Sequence, residues 1–123
     1  MSKQTVLLSL VVPIYNEEEN ILLLTQRIVE ALKSYSFELI YIDDCSTDSS
    51  RERIISLNNP NVILIALKKN YGQSLAMAAG FDVAQGDYIV TLDGDLQNDP
   101  SDILETACQL AAEVCSHAGA VPQ

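Results

Sequence analysis

The apolar positions of this chain follow two rhythms that alternate along its length. One is the short apolar run, continuous from Leu8 to Ile14 and from Val62 to Ala66, and carrying acids from Phe37 to Asp43 and from Asp87 to Asp93. Short runs of this kind, without a polar face, predict strands covered on both sides. The other rhythm is helical. Ile21, Leu24, Ile28 and Leu32 recur at the spacing of one helix face. Arg51 to Leu57 forms a second helical segment, closed by Asn58-Asn59-Pro60. An alanine-rich stretch from Ser74 to Ala84 follows the turn Asn70-Tyr71-Gly72 and stops at Gly86. The glutamates Glu17, Glu18 and Glu19 are expected to open the first helix, where acids complement the helix dipole. Ser46-Thr47-Asp48 is expected to cap the second. A last helix is expected from Asn98-Asp99-Pro100-Ser101 to about Cys115, with a frayed tail from Ser116 to Gln123.

Strands alternating strictly with helices imply right-handed crossovers and an α/β fold, a Rossmann-like parallel sheet with helices on both faces. In the commonest winding, strands three, two and one lie in sequence and strand four returns beyond strand one. Ligands of such sheets bind where the winding reverses, at the C-terminal strand ends. That places function at Pro13–Glu17 and Asp93–Gln97, with help from Asp43 and Asp44.

Composition narrows the classes. A chain of 123 residues, 48% hydrophobic and 20% charged, builds one ordinary globular core. Its net charge of −10 disfavours nucleic acid and polybasic membrane anchoring. Cys45, Cys108 and Cys115 make neither a CxxC pair nor a metal-ligand spacing with His117, which suits a reducing compartment. The apolar run after Lys3 is too short to span a bilayer, and Asn16 and the glutamates follow it instead of a small-residue cleavage site. The expectation is a cytoplasmic chain, soluble by itself.

The candidate chemistry sits at the strand ends. Asp93-Gly94-Asp95 offers two carboxylates on a glycine turn, hard oxygen ligands suited to Mg²⁺ or Mn²⁺. The plain alternative is a solvated turn that caps a helix. Asp43 and Asp44 could accept hydrogen bonds from a base or ribose, or simply decorate a helix start. Tyr15 offers a ring face to a base, and Asn16 and Glu17 offer amide and carboxylate contacts.

Taken in order, Val-Val-Pro-Ile-Tyr-Asn-Glu from Val11, Asp-Asp-Cys-Ser-Thr-Asp from Asp43, Asn-Tyr-Gly from Asn70 and Leu-Asp-Gly-Asp-Leu-Gln-Asn-Asp-Pro from Leu92 resemble family 2 glycosyltransferases of the GT-A fold. The Asp-Leu-Gln-x-x-Pro ending is similar to the dolichol- and polyprenol-phosphate sugar transferase branch. The resemblance implies that Pro13, Tyr15 and Glu17 line a nucleotide pocket, that Asp44 holds the base with Asp43 nearby, and that Gly72 lets the backbone pass close. Asp93, which also borders the nucleotide, and Asp95 would ligate metal and diphosphate, with Gln97 as a further ligand. It further implies a UDP- or GDP-linked sugar donor, inversion at the anomeric carbon, a lipid-phosphate acceptor, and longer relatives associated with the cytoplasmic side of a membrane.

Cys45 departs from the family, which often has Gly there, and a packing role is expected for it. Residues 105–123 look divergent, so the chain divides into a GT-A half-domain over 1–104 and a separate helix and tail over 105–123. On that division the acceptor side is missing, strand four is an open edge inviting self-association, and turnover alone would be poor. The rival reading is a truncated, non-catalytic remnant that binds a nucleotide weakly or not at all. A dinucleotide-dependent dehydrogenase would need a G-x-G-x-x-G after strand one, which is missing. A phosphatase would need its Asp-x-Asp after the first strand instead of the fourth.

Overall fold

The computed structural model describes residues 8–92 and Gly94. The elements run β1 (Leu8–Ile14), α1 (Ile21–Ala31), β2 (Phe37–Asp43), α2 (Ser50–Leu57), β3 (Val62–Ala66), α3 (Gln73–Val83) and β4 (Tyr88–Thr91). The strands form one parallel sheet in the order β3-β2-β1-β4. The winding reverses between β1 and β4, as the alternation of elements predicts. The expected last helix, the tail, and Asp93, Asp95 and Gln97 lie outside the described residues.

The sequence of β1 and β2 explains their central position. Every residue of β2 is buried, and β1 is buried except at Pro13, which is half-buried. On one face Leu10, Val12, Leu39 and Tyr41 pack under α1 through Ile21, Leu24, Ile28 and Leu32, the residues of the predicted helix stripe. On the other, Val11, Ile40 and Ile42 pack against Ala76 of α3. Burial of this apolar surface is the main favourable term of folding. The Tyr41 hydroxyl is paired with Thr25 Oγ1 at 2.7 Å, and burial pushes the phenol up to about 12. Among the described residues, no buried side-chain nitrogen or oxygen lacks a hydrogen-bond partner.

The helix starts depart from the sequence expectation. Helix α1 begins at Ile21 with no acid in its first turn, because the glutamates are used before it. Glu17 Oε1 accepts from Asn20 Nδ2 at 2.8 Å, and Glu18 Oε1 accepts from the Ser49 amide at 2.7 Å. Helix α2 begins at Ser50, and its N-cap residue Ser49 makes no side-chain cap bond. Ser46 and Thr47 instead bond to Asn16, while Asp48 Oδ1 accepts from the Ser50 amide at 2.9 Å. Glu18, Ser46 and Thr47 thus act across loops, while Glu17 Oε1 and Asp48 Oδ1 bond within their own segments.

Candidate functional site

The described ends of β1 and β2 border an open cavity of about 210 Å³, lined by Pro13, Ile14, Tyr15, Glu17, Asp44, Gln73 and Gly94. Pro13, Tyr15, Glu17 and Asp44, all singled out from the sequence, therefore come together. Tyr15 is 45% exposed, so its ring is open to stacking. Asp44 is only 5% exposed. Its amide donates to the Ile14 carbonyl at 2.9 Å, tying the start of this loop to the end of β1.

The Asp44 carboxylate organises the opposite wall. Oδ1 accepts from the Tyr71 amide at 2.8 Å and Oδ2 from the Gly72 amide at 2.9 Å. Gly72 has φ of +96°, a backbone conformation that L side chains rarely adopt, and a side chain there would meet open space. The glycine is thus needed for its backbone angle, which sets both amides toward one carboxylate. Gln73, next in the chain, lines the cavity at the start of α3.

Asp43 behaves differently from its neighbour. It is fully buried and not among the lining residues. Arg51 Nε and Nη2 donate to its Oδ2 at 2.9 and 2.7 Å, and the Ser46 amide donates to Oδ1 at 3.3 Å. Arg51 Nη2 also reaches the Leu67 carbonyl at 3.3 Å. This arrangement joins the ends of β2 and β3 to α2.

Gly94 brings the segment after β4 to the cavity. A Cβ there would lie 2.8 Å from Ile14 Cγ2, so only a glycine lets the backbone pack this close to β1 without a shift. Asp93 and Asp95, the candidate metal ligands on either side of it, and Gln97 lie outside the described residues. Among the described residues, no three His, Cys, Asp or Glu side chains are grouped to hold a metal ion. No described helix is long and apolar enough to cross a membrane.

Ile14 and Gly94 fall inside the strand-end segments that the sequence marks, without being singled out there, and Gln73 falls outside them. Gly94 had a signal in its place between two candidate acids. Gln73 had only its position after Gly72. Cys45, at φ of +63°, donates from Sγ to the Lys68 carbonyl at 3.5 Å, a contact between loops.

Comparison with known proteins agrees with this geometry. Residues 9–118 match the model of the family "Glycosyl transferase family 2". The dodecaprenyl-phosphate galacturonate synthase of Rhizobium johnstonii is 43% identical over 112 residues, 87% of this chain and 33% of that protein. The undecaprenyl-phosphate 4-deoxy-4-formamido-L-arabinose transferase of Photorhabdus laumondii is 48% identical over 100 residues, 77% of this chain and 31% of the relative. The chain therefore spans about a third of the length of the curated relatives it matches. Among solved structures, S. aureus TarS residues 1–349 in complex with UDP superposes with a TM-score of 0.73 at 27% identity, covering 91% of this chain and 33% of TarS 1–349. The mannosyltransferase PcManGT of Pyrobaculum calidifontis, solved with GDP-Man and Mn²⁺, shares the fold with a TM-score of 0.67 at 23% identity, over 75% of this chain and 28% of its own. By its strand order, its strand-end motifs and this family match, the chain belongs to glycosyl transferase family 2.

Proposed function

We propose that this chain forms the donor-binding part of a glycosyltransferase that moves a sugar from a nucleoside diphosphate to a polyprenyl phosphate. The observation that carries the reading is the cavity at the switch point, where Tyr15, Glu17 and Asp44 meet Gly94. Tyr15 is the group to stack on the base. Asp44, held by the Tyr71 and Gly72 amides, presents a fixed acceptor edge to the nucleoside. Asp43, next to it in the chain, is paired with Arg51 and anchors the end of β2 to α2. The relatives' names support the lipid-phosphate acceptor, and the UDP complex of the 27% identical neighbour supports a nucleotide in the crevice.

Asp93 and Asp95 adjoin Gly94 in sequence, and with Gln97 they are the residues to hold Mg²⁺ or Mn²⁺. A bound divalent ion would offset the charge that builds on a departing diphosphate. Attack from the face opposite that leaving group inverts the anomeric carbon. A lipid phosphate is already an anion, so it needs no general base, and catalysis rests on positioning and charge neutralisation.

Thermal unfolding with UDP and with GDP, each with and without Mn²⁺, tests the reading. A nucleotide at about 100 times its Kd is expected to raise the midpoint by roughly 10 °C. The rise is expected to depend on the metal and to vanish in Asp95→Ala. No shift with either nucleotide would overturn donor binding and leave a non-catalytic fold of the same family.

A further inference from the structure

Two loops leave the sheet at the cavity, one after β1 and one after β2, and they are stitched together almost entirely by side-chain-to-backbone bonds. Seven hydrogen bonds join residues 16–18 to residues 46–50. The Asn16 amide donates to Ser46 Oγ at 2.9 Å, Glu17 N to Ser50 Oγ at 2.8 Å, and Glu18 N to Asp48 Oδ2 at 3.3 Å. The Ser49 amide returns a bond to Glu18 Oε1 at 2.7 Å. At the centre, the single oxygen Asn16 Oδ1 accepts from Thr47 N at 2.8 Å, Thr47 Oγ1 at 3.3 Å and Asp48 N at 3.3 Å.

Asn16 adopts φ of +56°, in the left-handed region. Asn and Asp enter that region more readily than other residues with a Cβ. The position therefore demands two properties at once: a backbone that accepts the left-handed turn, and a short side chain ending in an acceptor oxygen. Its chain neighbours Tyr15 and Glu17 both line the cavity, and the loop it grips begins with Asp44. Asn16 itself is not among the lining residues.

We propose that Asn16 is a positioning residue, whose Oδ1 locks the loop after β2 onto the loop after β1 and so fixes Tyr15, Glu17 and Asp44 relative to one another before a nucleotide arrives. The proposal rests on the donor-binding reading of the cavity. It assigns Asn16 no contact with the nucleotide; its effect passes through its neighbours. A site whose groups are held in place beforehand binds more tightly than one that must order itself on binding.

Two substitutions separate the backbone angle from the acceptor. Asn16→Gly keeps the left-handed turn and removes the oxygen. Asn16→Asp keeps both the oxygen and the tolerance of the turn. Binding of UDP and of GDP to the 123-residue chain is measured by titration calorimetry with Mn²⁺. Ser9→Ala, which removes a buried bond to Glu38 at the far end of β1, is the control for general destabilisation. N16G is expected to weaken the nucleotide that binds by about tenfold, N16D to stay within about threefold of wild type, and S9A to leave affinity unchanged.

Equal affinity in N16G and wild type would overturn the proposal. So would an N16D loss as large as that of N16G, or an S9A loss matching N16G. Amide exchange gives a second readout, independent of any ligand. The Thr47 and Asp48 amides are expected to exchange faster in N16G and at the wild-type rate in N16D, and unchanged exchange in N16G would overturn the clasp itself. If wild type binds neither nucleotide, the donor-binding reading falls, and amide exchange still decides whether Asn16 holds the loops.

Discussion

Two buried carboxylates stand at opposite ends of β2, and they are held in different ways. Glu38, at the start of the strand, is 7% exposed, and Asp44, just past its end, is 5% exposed. Neither is shown paired with a cation, and each receives backbone amides from the segment leading into or out of α3. Among the described residues, Glu38 does so with one oxygen. Its Oε2 accepts from Ser9 Oγ at 2.5 Å and from the Gln85 amide at 2.6 Å, and Ser9 Oγ in turn accepts from the Gly86 amide at 2.7 Å. Asp44 uses both oxygens, one for the Tyr71 amide and one for the Gly72 amide. Asp44 lines the cavity at the strand ends, and Glu38 is not among its lining residues. The lesson is that a buried carboxylate does not mark a site. Glu38 closes a polar knot that fastens the turn between α3 and β4 to β1. Asp44 fastens a loop while keeping an edge beside open space.

The largest effect that would test this division is on stability at the closed end. Glu38→Ala leaves the buried Ser9 hydroxyl and the part-buried Gln85 amide without their acceptor. A buried donor left without a partner costs about 1–3 kcal/mol, so the substitution is expected to remove about 3 kcal/mol of unfolding free energy. Urea denaturation measures that loss. Nucleotide affinity, measured where the variant is folded, is expected to match wild type. A large loss of affinity would mean that the two ends of β2 are not separate in function.

The open end should show a smaller stability loss and a loss of binding. An amide side chain has one acceptor oxygen, so Asp44→Asn must set its NH2 group against the amide of Tyr71 or of Gly72. The expected cost is about 2 kcal/mol of stability, together with roughly tenfold or more in nucleotide affinity. Denaturation and calorimetry on one preparation supply both numbers. Retained affinity with lost stability would reduce Asp44 to a second closed knot.

How much of this was legible in the sequence follows the same division. All four apolar runs became strands, and β1, β2 and β3 match the runs end to end, while β4 runs from Tyr88 to Thr91; β1 and β2, buried on two faces, leave no room for another rhythm. The strand order and the meeting of Pro13, Tyr15, Glu17 and Asp44 followed from alternation and strand-end position. The helix starts did not. Glu18, Ser46 and Thr47 carry local capping signals, but their partners lie across the gap between two loops, and sequence proximity does not record that gap. At Asn16 the sequence offers an amide contact for a ligand, whereas its amide and Oδ1 bond to the neighbouring loop. Glu38 passed without notice because one acid inside an apolar strand looks like an ordinary polar position. Its partners at Ser9 and Gln85 lie 29 and 47 residues away.

The smallest expected effect is the sharpest test of the geometry. Because Ser9 and Gln85 both donate to the same oxygen of Glu38, Glu38→Gln can place its amide oxygen there and keep both bonds. The hydrogen bonds lose the extra strength that a charged acceptor gives, and little else changes. A loss under about 1 kcal/mol is therefore expected, well below that of Asp44→Asn, although the two substitutions exchange the same functional groups. The contrast between the two losses turns on whether one oxygen or two are engaged. Equal losses would mean that the Glu38 carboxylate is required as a charge, and the contrast between a knot tied by one oxygen and a loop held by two would fail.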